Sequence, residues 1–437
     1  MRKLFGFFSL LLAVVMALPL SAVNAAPKSQ ALPKVDLVMW HQEGADTMKG
    51  LGIQKVFDDW AAKNAPGSTL KLVAKDTEVL RTDFQAAALA GSGAPDLLWT
   101  VADQAGPFTA AGLIQPVDSL VDLKQFLPAI VAIPVIKGKT YGIPLQAGNH
   151  LMLLFNKKFV PTAPATWADL IKIAHDLATK NAGVTNFTPL AWNQGESFWV
   201  FPVAHGYGAT EFAADGKTPV LDTDGWTQTY QFFSDLKFKE QITPKECDYN
   251  CMDGGFQNGT AAMILNGDWS LGGDKGYIKV LGDNLGISPW PKLTLPADSK
   301  LSGIPAPFIA GKFLMFPTTT TGDHLKVAQA FADFLTTDKA TVLSFTVPNG
   351  RLPALTTALQ DDSVAKDKVL SQTAAALQTG VGQPVQPEMR CVFDAVTAEI
   401  KGIMAQTEKP ADAPKNAQKS ATACISTLNG GGTPAAS

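Results

Sequence analysis

The stretch VDLVMWHQEGADTMKGLGIQKVFDDWAAK, residues 35–63, changes its hydrophobic period part-way through. Val35 to Trp40 is a short apolar run suited to a buried strand. After the polar loop His41-Gln42-Glu43, a helix is expected from about Gly50 to Lys63. Ile53, Val56, Phe57 and Trp60 fall there at i, i+3, i+4 and i+7 on one face. The pattern then repeats: residues 68–73 read as a second strand, 82–90 as a helix ended by Gly91, and 96–99 as a third strand. Strands alternating with helices predict βαβ units, hence an α/β fold with mainly parallel sheets flanked by helices.

The alternation continues. Thr166, with Asp169 three places on, reads as a helix N-cap that opens a segment with Leu170, Ile173, Ala174 and Leu177 inward. Asp224 starts a further helix carrying Tyr230, Phe233 and Leu236. Residues 261–265 suit a buried strand, and 325–335 a helix with Ala328, Phe331 and Leu335 on one side. The tail 430–437, GGGTPAAS, has the composition of a disordered segment.

At 437 residues the chain is long enough for two or three domains. Its 46% apolar and 9% aromatic content exclude wholesale disorder. Only 17% of residues are charged, against about 25% in an ordinary soluble domain. With 36 basic and 39 acidic side chains it lacks the electrostatic footprint of a nucleic-acid binder.

Arg2-Lys3, the apolar run Leu4 to Leu20 and the small residues from Ser21 to Ala26 read as a cleavable export signal, residues 1–25. Pro19 and the short span argue against a membrane anchor. Cleavage would remove Arg2 and Lys3 and no acid, taking the formal net charge from −3 to −5. The expected product is a mildly acidic protein in the periplasm or another extracytoplasmic space. In such an oxidising compartment four cysteines read first as disulfides. Of three connectivities the economical one pairs Cys247 with Cys251, inside KECDYNCMDG, and Cys391 with Cys424. The rival, zinc, needs four converging ligands, and His41, His150, His175, His205 and His324 form no HxxxH pair.

No GxSxG elbow, GxxxxGK[ST] phosphate loop, HExxH or strand-linked GxGxxG is present, so neither a catalytic centre nor a cofactor is expected. The informative feature is aromatic placement. All nine Trp precede position 291, and several sit beside polar residues and turn signals: Trp40 in VMWHQEG, Trp99 in PDLLWTVAD, Trp192 and Trp199 in AWNQGESFWVF, and Trp269 in NGDWS. An aromatic ring can cover the C–H face of a sugar while neighbouring carboxylates and amides bond its hydroxyls. Trp60, Trp167 and Trp226 occupy helix positions and are expected in the core.

The segments GAPDLLW, AAGLIQPVDSL, GKTYGIPLQAGNHLMLLFNKKFV, PATWADLIKIA, FQNGTAAMILNGDWS and NGRLPAL follow in this order over nearly the whole chain after the export signal. In that order the chain resembles the extracytoplasmic solute-binding proteins of carbohydrate ABC importers, maltose-binding members being the best known. The most specific parts are Gly259–Trp269 and the run from Tyr141 to Asn156. The resemblance implies a two-lobe periplasmic-binding-protein fold of the class II type, closing by a hinge over a sugar. The first lobe would take residues 27–146 and 310–345, the second 147–309 and 346–429, with crossings near 145–148, 306–314 and 340–352. It implies a carbohydrate ligand of malto-oligosaccharide type, a membrane permease as partner, and a monomer that breaks no bond.

Site residues carry over from the resemblance unevenly. Asp103 matches an acidic sugar ligand of the maltose-type site, while Trp99 lies one place short of a stacking Trp. Glu196 and Phe198 fall on an acidic and aromatic pair, and Trp269 matches a stacking Trp after Asn-Gly. Phe393 stands where the family has a Trp, and Asn149 where it has an acid. Trp40 and Glu43 flank the first loop, Glu43 as a hydroxyl acceptor. Arg351 either bonds a sugar hydroxyl or caps a turn. The readings that compete are a secreted glycoside hydrolase or lyase, with two carboxylates about 5–10 Å apart, and a polyamine, iron or phosphate-ester receptor of the same architecture.

Overall fold

A computed structural model describes residues 31–428 and 430. The expected export signal lies outside the described residues, as does the expected tail apart from Gly430. In chain order the first part runs β1 (Asp36–His41), α1 (Ile53–Asn64), β2 (Thr69–Ala74), α2 (Thr77–Leu89), β3 (Leu97–Val101) and β4 (Ile143–Ala147). Then come β5 (Leu151–Asn156), α3 (Trp167–Lys180), β6 (Thr188–Ala191), α4 (Asp224–Ser234), α5 (Tyr249–Gln257), β7 (Ala261–Gly267) and β8 (Leu285–Ser288). The chain returns through β9 (Lys312–Pro317), α6 (Gly322–Thr337) and β10 (Leu352–Pro353), and ends in α7 (Glu388–Met404) and α8 (Ala413–Leu428).

Local chemistry accounts for many of these boundaries. Gly52, at φ 67°, ends a short helix Ala45–Leu51, so α1 starts at Ile53 rather than Gly50. Its Ile53, Phe57, Trp60 and Ala61 are buried. At α3 the Thr166 hydroxyl accepts from the Asp169 N–H at 3.1 Å, and the Asp169 carboxylate accepts from the Thr166 N–H at 3.1 Å. That reciprocal box satisfies two donors at the helix start.

Two sheets organise the molecule. The first has seven strands, with the path β10-β4-β9-β3-β1-β2 and Ile114–Gln115 beside β9. The second has four, ordered β8-β5-β7-β6. The expectation of mainly parallel sheets holds only in part. β1 is parallel to β2 and β3, and β7 to β6, but β9 runs antiparallel to β3 and β4, and β5 antiparallel to β7 and β8. The cause is the crossing. β4 ends where the chain leaves the first sheet and β9 begins where it re-enters, so neighbours at that edge must run in opposite directions.

Each sheet has its own core. One contains Leu37, Phe57, Trp99, Ile143, Phe313, Phe331 and Phe345, and the other Leu153, Trp167, Trp192, Phe201, Met263, Val396 and Ala417. Ala147 belongs to the first and Leu151 to the second; Phe308 belongs to the second and Phe313 to the first. Leu352, Leu355, Ala358 and Val364, expected in the second lobe, pack in the first core. The first core reaches Leu370, and Ala376 on the same helix (Lys368–Leu377) is in the second.

Cys247–Cys251 and Cys391–Cys424 are both disulfides, which leaves no thiolate for zinc among them. The second bond ties α7 to α8. For a separation of 33 residues, loop-closure entropy puts its stabilisation at roughly 3–4 kcal/mol. No described helix is long and apolar enough to cross a membrane.

Candidate functional site

The second lobe presents a cluster of half-buried rings. Phe198 follows β6 in a short turn, Trp269 follows β7, and Phe393 lies one turn into α7. Phe198 and Trp269 have centroids 6.1 Å apart, and Phe198 lies 6.3 Å from Phe308. Phe393 is 6.2 Å from Phe308 and 5.2 Å from Phe201. Phe308 and Phe201 are buried, so the three half-buried rings rest on an aromatic floor that belongs to the core. The Trp269 indole N–H donates to the Tyr249 hydroxyl at 3.0 Å, which fixes the ring plane. Asp248 caps α5, and the Cys247–Cys251 bond closes the turn that carries Tyr249.

Opposite Phe393 stands the turn after β3. There Asp103 and Gln104 line a crevice with Arg81, Pro107, Met389, Arg390 and Phe393. Its volume is about 10 Å³, room for roughly one water. Burial and the nearby Glu78 push the Asp103 carboxyl up to about 6. Glu196, beside Phe198, is also raised, first by desolvation and then by Glu78, although its side chain reaches solvent. Across the rim Arg390 Nη1 donates to both oxygens of Glu78, at 2.9 and 2.8 Å, linking α7 to α2. Asp103 Oδ1, Gln104 Oε1 and Gln383 Oε1 are buried polar atoms without a hydrogen-bond partner, while the Asn193 amide lies beside the Glu196 carboxylate. Such orphaned atoms are costly unless something else satisfies them.

The other expected site residues lie elsewhere. Trp99 and Arg351 are 0% exposed and Glu43 is 3% exposed, so none meets the crevice. Trp99 lies edge-on to Phe345 in the first core and donates its indole N–H to Glu43 at 3.2 Å. Arg351 forks onto Glu43 through two 2.8 Å bonds. Burial alone would raise the Glu43 carboxyl, but Arg351 and Lys312 outweigh it and hold it far below the usual carboxylate range. In this structure Arg351 neutralises a buried acid instead of lining the crevice. Trp40 is half-buried with the Lys75 ammonium 4.3 Å above its ring. Asn149 sits at the crossing with φ 52° and donates its N–H to Asp268 at 3.2 Å. Trp192 and Trp199 are core residues, and the Trp199 indole donates to the Leu265 carbonyl at 2.6 Å.

Sequence reading missed Gln104, Glu78, Arg390, Asn193 and Gln383, none of which stands out in its segment. Lys312 did carry a signal, a lone charge opening the apolar run KFLMFP.

Two α/β lobes with separate cores, joined at a few chain crossings, with Phe393 of the second lobe lining a crevice with the unpartnered Asp103 and Gln104 of the first, have the architecture of a cleft-type ligand receptor. The chain belongs to the bacterial extracellular solute-binding protein family, whose model matches residues 55–372. The maltotriose-binding protein of Pyrococcus abyssi is 26% identical over 376 residues, 84% of this chain and 77% of that protein. The maltodextrin-binding protein of Bacillus subtilis is 26% identical over 319 residues, 70% of this chain and 72% of that protein. Among solved structures, the maltose/maltodextrin-binding domain of Bdellovibrio bacteriovorus bound to maltotriose is 32% identical. It superposes with a TM-score of 0.81 over 89% of this chain and 99% of that one.

Proposed function

We propose that this protein is the extracytoplasmic receptor of a carbohydrate ABC importer, binding a malto-oligosaccharide between its lobes and handing it to the membrane permease. The observation that carries this reading is that Phe393, which shares the second lobe's ring cluster with Phe198 and Trp269, lines one crevice with Asp103 and Gln104, whose Oδ1 and Oε1 have no partner. A pyranose offers an apolar C–H face to the rings and hydroxyls to those atoms, so one ligand satisfies both surfaces. The relatives bound to or named for maltotriose and maltodextrin support that choice of sugar.

A crevice of about 10 Å³ admits no sugar, so the lobes part for entry and close over the bound ring. Closure is favoured because the sugar contacts both lobes only in that arrangement. Asp103 Oδ1 and Gln104 Oε1 accept hydroxyl protons. No step breaks a bond. Export to the periplasm or an equivalent space follows from the same reading, since an importer's receptor must meet its sugar outside the membrane.

Isothermal titration with maltose, maltotriose, trehalose, cello- and xylo-oligosaccharides, followed by product analysis, tests the proposal. Saturable maltotriose binding with the sugar recovered intact is expected. Cleaved sugar, or no binding across the panel, would overturn it.

A further inference from the structure

Trp269 is held from the hinge side as well as through its ring. Its main-chain carbonyl accepts from Arg351 Nη2 at 3.4 Å. The preceding Asp268 accepts the Asn149 N–H at 3.2 Å, and its carboxylate faces the charges of Lys312 and Arg351. Arg351 directly precedes β10 at the edge of the first sheet, whereas Trp269 packs on the second core, so this bond joins the two lobes. The arginine has little freedom of its own. Glu43 takes Nη1 and Nη2 at 2.8 Å each, Gln146 takes Nη1 at 3.0 Å, and Lys312 lies 3.5 Å from Glu43.

Stability is a poor account of this cluster. Taking ions out of water costs several kcal/mol each, and a buried ion pair is often replaceable by apolar residues without loss. Arg351 Nε, Gln146 Nε2 and Asp268 Oδ1 remain without partners, so the cluster is incompletely satisfied as well. What it supplies is a rigid planar donor at a fixed place. A guanidinium forked on a carboxylate has its plane, and so its remaining N–H vectors, fixed by that pairing.

We propose that Arg351, clamped by Glu43, is a positioning residue that fixes the main chain at Asp268–Trp269 and thereby the angle at which the Trp269 indole meets the sugar. The inference rests on the sugar-receptor reading above. It removes Glu43 and Arg351 from direct ligand contact and gives them an effect on affinity through Trp269.

The test is a double-mutant cycle on the full chain with maltotriose as probe. Replacing Glu43→Leu and Arg351→Met together removes one charge of each sign and leaves Lys312 facing Asp268. Thermal melting of this pair is expected to stay within a few degrees of the parent, and its Kd for maltotriose to rise roughly 5- to 20-fold. In a Trp269→Ala background the same pair should change Kd by less than about 2-fold, because the group it positions is gone. A purely structural role predicts the same fold-change in both backgrounds, and that result would overturn the inference. If the pair fails to fold, Arg351→Lys serves instead: an ammonium pairs with Glu43 but cannot also span to the Trp269 carbonyl. It should lose affinity in the parent and not in Trp269→Ala; equal losses in both would again overturn it. Parent protein that binds no maltotriose would sink the receptor reading; parent binding with additive losses sinks only the role of Arg351.

Discussion

At the scale of single residues, Asp103 makes the sharpest claim. Its carboxyl is raised from an ordinary value of 3.8 to about 6, first by desolvation and then by Glu78. Between those values the folded protein holds a proton that the unfolded chain releases, so this group's contribution to stability falls as pH rises from about 4 to about 6. A sugar hydroxyl donated to the buried Oδ1 favours the ionised form and lowers that pKa again. Maltotriose binding should therefore release protons near pH 5, and affinity should climb with pH until about 6 and then level. Titration in buffers of different ionisation enthalpy measures the released protons. Asp103→Asn should weaken binding and flatten the profile; any slope that remains belongs to Glu196, which shifts in the same direction. An unchanged profile in Asp103→Asn would place the titrating group elsewhere.

Elements were more legible in the sequence than their directions or their faces. The period-3.6 face of α1 and the Thr166–Asp169 box at α3 are local patterns, and the structure builds both. Strand direction is not local, since β9 runs against β3 only because the chain comes back at the hinge. The position of a Trp in a strand was equally mute. All five residues of β3 are buried, so the alternation that would turn Trp99 towards a ligand or a core has no solvent side to read. Asp103, just beyond that strand's end, stands out through the family resemblance and not through any local pattern. Sequence reading makes Glu43 a hydroxyl acceptor and Arg351 a ligand contact or turn cap, whereas the structure pairs them with each other; that contact spans 308 residues, and no local pattern encodes it. Gly148 is the element-scale counterpart. It links β4 to β5 at φ 141°, and a Cβ there would run into the Asp268 carboxylate. Gly148→Ala combines a disfavoured backbone with that collision, so a loss of about 2 kcal/mol or more and a melting point several degrees lower are expected. Differential scanning calorimetry checks it, and a melting curve matching the parent's would mean that the crossing rearranges freely.

For the whole molecule the question is which contacts between the lobes govern closure over a ligand. The conspicuous bridge is Arg390–Glu78, yet its side chains are 34% and 53% exposed. An ion pair that wet contributes about 0–1 kcal/mol and weakens with salt, because water solvates both charges once the lobes part. Arg390 also keeps Asp394 as a partner at 2.6 Å on its own helix, so releasing Glu78 leaves no stranded charge. The ring cluster differs in kind. Trp269 is anchored through Tyr249 and stands on rings shared with the second core, so its surface is presented without further ordering when the sugar arrives. Recognition should therefore be carried by the ordered rings, with the bridge only trimming the open–closed balance. Arg390→Met is expected to change the Kd for maltotriose by less than about 5-fold, with the difference shrinking as salt is raised. Trp269→Ala should cost roughly 30-fold or more, about 2 kcal/mol, and be insensitive to salt. Titrating both variants at low and high ionic strength decides between the two contacts. A larger, salt-dependent loss in Arg390→Met would make the rim bridge, rather than the aromatic floor, the element that holds the lobes over their ligand.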